Sequence, residues 1–251
     1  MRFVPALSFS LAVILSSVPA RAQEENPPNP AVIPVPKEGR WMDRHEAMNA
    51  RVKQGNVDLL FIGDSITQGW ERAGSAVWER HYARRNAVNL GISGDRTEHV
   101  LWRLANGNLD GISPKAAVIM IGTNNSGRNR NSASQIVEGI TAIVHELRTR
   151  LPETKLLLLD IFPRGEQFND QRGKILQVNQ TVRRLDDAEH VHYLAIGHRF
   201  LQADGSISPE IMPDFLHLTE AGYEIWADAI EAKLVELLGE RGRFFATFRR
   251  F

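Results

Sequence analysis

From Trp41 onward, short apolar runs alternate with longer segments of helical period. Val57 to Ile62, Ala87 to Leu90, Ala116 to Ile121, Lys155 to Ile161 and His190 to Leu194 are short and branched, so each reads as a strand. Between them lie amphipathic helices. Trp41, His45, Met48 and Val52 share one face, closed by Gly55; Ile136, Ile140, Ile143, Val144 and Leu147 share another, stopped before Pro152. Asp95-Arg96-Thr97-Glu98 has the pattern of a capping box before Val100, Leu101 and Leu104. A helix is expected over 171–185, and Thr219 can cap a last one carrying Tyr223, Trp226, Ile230 and Leu234. Strands joined through helices must cross over, which makes the sheet parallel and covers both its faces. The expected fold is one α/β domain over 41–238, a three-layer α/β/α sandwich around a five-stranded parallel sheet. Its site is expected at the carboxyl ends of the strands.

Composition removes whole classes of function. Lys plus Arg and Asp plus Glu number 30 each, so the basic field a nucleic-acid binder needs is missing. With no cysteine, disulfides, thiolate nucleophiles and cysteine-held metals are excluded. The two ends differ from the middle. Residues 1–22 combine Arg2, the apolar stretch Leu7 to Val18 and the small-x-small site Ala20-Arg21-Ala22, the pattern of a cleaved signal peptide. That predicts a secreted or periplasmic protein. Residues 23–40 hold Pro27, Pro28, Pro30, Pro34 and Pro36 and read as an extended linker. In the tail 239–251, Phe244, Phe245, Phe248 and Phe251 are interleaved with arginines, which suits docking on a membrane, a partner or the body of the protein.

The polar residues at the strand ends carry the chemistry. The first strand runs into Gly63-Asp64-Ser65, where a serine hydroxyl can stand at the top of the sheet beside helix-start amides. Asp214 precedes His217 by three residues, a spacing that lets a carboxylate orient an imidazole. Gly94 after the second strand and Asn124 after the third offer a backbone amide and a neutral side-chain donor, a usual pair for an oxyanion. Taken singly each reads otherwise: a serine cap, a structural histidine, turn residues.

Together these blocks resemble the SGNH, or GDSL-type, esterase and lipase family, with a flavodoxin-like fold. The resemblance runs from Trp41 to about Trp226. It is densest in Asn89 to Leu104 and Ile121 to Asn125, which, with Pro163-Arg164-Gly165-Glu166, are most similar to the catalytic subunits of intracellular platelet-activating-factor acetylhydrolase. It implies Ser65 as nucleophile and one oxyanion amide, Gly94 and Asn124 as the other oxyanion donors, and His217 as base paired with Asp214. It also implies that Ile66 and Leu216, beside the nucleophile and the base, wall a small acyl pocket. Ile66 departs from the leucine of the name motif, and Asn125 stands where many members have Asp. The export signal does not fit a cytosolic lipid enzyme, so the lipid substrate is not carried over. The expected activity is hydrolysis of short, acetyl-type esters on carbohydrates or small molecules through an acyl-enzyme, without metal or cofactor. A lysophospholipase or thioesterase, an acyltransferase and a non-catalytic binding module stay open, as does a homodimer. Asp64 is expected to hold its loop by hydrogen bonds, and Arg164 either to meet a polar substrate group or, by default, to form a surface ion pair; His190 and His192 lack an evident third metal ligand.

Overall fold

The computed structural model describes Met1 and residues 27–240. The export signal with its cleavage site and the Arg/Phe tail over 241–251 lie outside the described residues.

Five strands form one parallel sheet: β1 (Leu59–Gly63), β2 (Ala87–Gly91), β3 (Ala116–Met120), β4 (Lys155–Leu159) and β5 (Val191–Leu194), in spatial order β2-β1-β3-β4-β5. Each expected strand is present, with its ends shifted by up to two residues. Period-two alternation divides the side chains between two layers. Leu60, Ile62, Ala117 and Ile119 face α1 (Arg40–Lys53), α4 (Thr97–Arg103), α5 (Ala133–Arg150) and α6 (Asp170–Val182). Leu59, Phe61, Val118 and Met120 face α2 (Ser65–Gln68), α3 (Ser75–His81) and α7 (Glu220–Leu238), where Trp70, Tyr82 and Trp226 crowd around Phe61. This is the expected three-layer sandwich.

Two local expectations are corrected. The capping box does not form on Asp95. Arg96 occupies the N-cap position of α4, and its N–H donates to His99 Nδ1 at 3.0 Å. The Asp95 carboxylate is buried instead: it accepts from Trp41 Nε1 at 2.6 Å and from Arg103 Nε at 2.8 Å. A cation and an indole N–H outcompete a cap because nothing else neutralises a carboxylate out of water. The described part of the Pro-rich linker is no tether either. Ala31 is fully buried in a short 3-10 turn, its carbonyl accepts from Thr97 Oγ1 at 2.8 Å, and Asn29 Nδ2 donates to Gln135 O at 3.1 Å. The segment therefore closes over α4 and α5, because prolines fix an extended chain without preventing it from docking.

Candidate active site

The carboxyl end of β1 turns at Asp64, which caps α2. Its Oδ1 accepts from the Ile66 N–H at 3.0 Å, the loop-holding role expected of it. Ser65 is then the first residue of α2, where an amide has no carbonyl partner within the helix and is free to donate outward. Tyr223 donates to the Ile66 carbonyl at 2.6 Å and pins the short helix to α7. The end of β2 presses on the same turn. A Cβ on Gly91 would meet Gln68 N at 2.3 Å and Thr67 C at 2.7 Å, so the close approach admits only glycine.

His217 arrives from the loop before α7. Asp214 organises that loop by itself: Oδ1 accepts from the Leu216 and His217 amides at 3.1 and 2.7 Å, while Oδ2 accepts from His217 Nδ1 at 2.6 Å. The wrap places Phe215 at φ +57°, left-handed without being glycine. With its proton on Nδ1, the imidazole leaves Nε2 as an acceptor, and Ser65 Oγ lies 2.9 Å from it. Burial pushes the Asp214 carboxyl up, but the hydrogen bonds from the His217 ring and amide outweigh it, and the net shift is downward. A hydroxyl, an acceptor nitrogen and an anionic orienting group thus stand in line, the arrangement that activates a serine.

The two other predicted donors meet through Asp95. Asn124 Nδ2 donates to the Asp95 carbonyl at 2.8 Å, next to Gly94, and its second N–H is left to donate elsewhere. Gly94 is required for its φ of +73°; a Cβ there would meet only Lys37 Nζ, at 3.5 Å, so crowding is not the reason. Asn125 is buried and ties the two loops together, accepting from Thr97 N at 3.0 Å and donating to Asn131 Oδ1 at 3.0 Å.

A cavity of about 370 Å³ opens beside the serine, lined by Ser65, Gln68, Arg72, Ser93, His217 and Tyr223 among others. Ile66 and Leu216, expected to wall an acyl pocket, are not part of the lining of this cavity. Ile66 turns inward and is 1% exposed, and Leu216 packs against the same core layer. As the second residue of a helix lying on the sheet, Ile66 buries more apolar area inward than it could toward a wet cleft. Arg164 makes no surface ion pair. Its guanidinium is half-buried and donates to Thr123 Oγ1 at 3.2 Å; burial lowers its pKa against the pull of Asp64 and Asp214. Asp64 is fully enclosed with Oδ2 unpartnered, and burial drives its pKa up to about 7. The group of described residues with metal-holding geometry is His81, Glu224 and Asp228 on α3 and α7, where Arg80 already pairs with Glu224.

The pairing of Asp95 with Arg103 lay beyond sequence reasoning. Arg103 is fully buried, bonds Asn108 Oδ1 at 2.6 Å as well as Asp95, and so fixes the loop that carries Gly94. The i, i+8 separation of Asp95 and Arg103 matches no helix-face rule, and the one available signal was an arginine on the apolar side of α4.

The sequence matches the GDSL-like lipase/acylhydrolase family over residues 61–225. The chain belongs to that family. It is 39% identical over 218 residues to the platelet-activating factor acetylhydrolase IB subunit alpha2 of Rattus norvegicus, covering 84% of this chain and 93% of the relative. Two solved structures share the fold: a GDSL-like lipase from Bacteroides thetaiotaomicron, with a TM-score of 0.62 and 20% identity over 77% of this chain and 97% of the other, and Axe2, an acetylxylan esterase from Geobacillus stearothermophilus, with a TM-score of 0.58 and 20% identity over 74% and 95%. Membership of the family makes the chain a carboxylic ester hydrolase acting on a small-molecule ester, and the reading as a non-catalytic binding module falls away.

Proposed function

We propose that the protein is an exported acetylesterase in which Ser65 is the nucleophile, His217 the general base and Asp214 its orienting partner. The observation that carries the reading is the continuous relay Ser65 Oγ to His217 Nε2 at 2.9 Å and His217 Nδ1 to Asp214 Oδ2 at 2.6 Å. Ser65 Oγ attacks the ester carbonyl as its proton passes to Nε2. The Ser65 and Gly94 amides and the second N–H of Asn124 hold the oxyanion. The imidazolium then protonates the departing alcohol, and water enters by the same base to release the acid and free the serine. Asp214 stays ionised throughout, because its hydrogen bonds favour the anion.

Acetyl as the acyl group is supported by the names of the relatives, an acetylhydrolase at 39% identity and an acetylxylan esterase of the same fold. Export is supported by the charge, apolar stretch and small-residue site of 1–22, with mature protein beginning at Gln23. The test is a series of acetyl, butyryl and octanoyl esters of one alcohol. kcat/KM should fall steeply with chain length, and Ser65→Ala should lose several orders of magnitude in kcat while remaining folded. A wild type that prefers octanoyl refutes the acetyl assignment; an active Ser65→Ala refutes the nucleophile.

A further inference from the structure

The cavity beside Ser65 is lined by His217, the group that must hand a proton to the leaving oxygen, so this space is open to the departing alcohol. Its volume, about 370 Å³, is that of a small-molecule site rather than of a single methyl group.

One cation that lines it is unpaired among the described residues. Arg72 is an exposed lining residue with no hydrogen bond or ion pair to its side chain among the described residues. Its neighbour Glu71 is not available to it, because Arg44 holds both oxygens of that carboxylate in a fork at 2.8 and 2.9 Å. At the Gly94 loop one buried carboxylate serves two cations: Asp95 accepts from Arg103 at 2.8 Å and also faces Lys37 Nζ at 3.6 Å. Lys37 donates to the Gly94 carbonyl at 2.7 Å and so sits at the oxyanion loop itself. Two carboxyls stand close to the serine: Asp214, whose oxygens are already engaged by the His217 ring and two amides, and Asp64, which is fully enclosed and whose pKa burial raises to about 7. Burial chiefly, and after it the charges of Lys37, Arg96, Arg103 and Arg130, bring the pKa of His99 down to about 3; of those cations Arg96 is paired with Glu98 at 2.9 Å. The chain as a whole is neutral, so this is a local surplus and not a reflection of composition.

We infer that the alcohol part of the substrate carries an anionic group, such as a carboxylate, sulfate or phosphate, and that Arg72 is the residue that pairs with it. The inference rests on the esterase reading above and adds a substrate class to it. A planar guanidinium with all its donors unused can meet such an oxyanion group with two parallel hydrogen bonds. The surplus charge around Gly94 adds long-range attraction that salt will screen.

Three acetyl esters with alcohols of similar shape separate the two readings: 2-acetoxyethanesulfonate, 3,3-dimethylbutyl acetate and acetylcholine, carrying an anion, a neutral group and a cation. With the full-length protein at low ionic strength, kcat/KM should rank in that order, and the preference for the sulfonate should shrink in salt. Arg72→Ala should cut the ratio of sulfonate to neutral ester by about tenfold, chiefly through KM, the size expected of one charge-assisted contact. Arg72→Lys should keep most of the ratio, and Arg72→Glu should favour acetylcholine over the sulfonate. Arg84→Ala, on the turn just before β2 at the opposite end of the sheet, should behave as wild type. Hydrolysis of the neutral ester without preference for the sulfonate, or a ratio unmoved by Arg72→Ala, overturns the inference and leaves the esterase standing. No turnover of any of the three by folded protein overturns both.

Discussion

Replacing Arg103 by methionine should test how the loop that carries Gly94 is held. Methionine matches the aliphatic stem of arginine, so little cavity is created, and what disappears is one buried charge with its donors. Asp95 and Arg103 are both 0% exposed, and the guanidinium bonds Asp95, Asn108 and, more weakly, the Gly63 carbonyl. Burial already works against both ions, pulling the Asp95 pKa up and the Arg103 pKa down. Breaking such a pair by removing one partner leaves an uncompensated charge and costs about 3–5 kcal/mol. Lys37, 3.6 Å from Asp95 and 31% exposed, recovers only a small part of that because water screens it. For a domain of this size the urea midpoint should fall by about 1–2 M at unchanged slope. The loss should depend on pH in a stated direction. Without Arg103 the folded Asp95 pKa rises further above its unfolded value, so the group stabilises the fold at low pH and stops doing so as pH rises. The penalty should therefore be larger at pH 8 than at pH 5. Adding Asp95→Asn should recover at least half of it, since no buried charge then remains. Because the Asp95 carbonyl is the acceptor for Asn124, kcat should fall more than KM rises. A cost below about 1 kcal/mol that does not vary with pH would refute the reasoning, because it would mean that Asp95 is already neutral in the folded protein.

Asn124→Ala should raise the barrier by about 3 kcal/mol, seen mainly in kcat on an acetyl ester; a rise in KM alone would make Asn124 a binding residue only. Gly91→Ala should be strongly destabilising to thermal unfolding, because the added Cβ meets the backbone of α2 at 2.3 Å and backbone cannot rotate away. Asp64→Asn should change the pH dependence of stability. The folded pKa of about 7 lies above the unfolded value, so the wild type loses up to about 4 kcal/mol from this group as pH rises from about 4 to about 7. The variant, which cannot ionise, should gain on the wild type over that interval in urea titrations at each pH.

The sequence by itself determined the α/β sandwich, the order of its strands along the chain and the residues that the strand ends bring together. Period-two and period-3.6 patterns are local, and apolar burial enforces them wherever the chain goes. Ser65, Gly94 and Asn124 were legible because each follows a buried strand, and parallel strands deliver their carboxyl ends to one edge. Asp214 and His217 were legible because a single Asx turn spans them. Tertiary structure decided what depends on distance through space. It took the Asp95 carboxylate from a helix cap and gave it to Trp41, 54 residues away, and to Arg103. It folded Ala31 under α4 although the segment is rich in proline, and it turned Ile66 into the core while leaving Arg72 in the cleft. A buried charge or an unfilled apolar space takes whichever partner the packed elements bring within reach, and that partner is set by the crossing of elements, not by spacing along the chain.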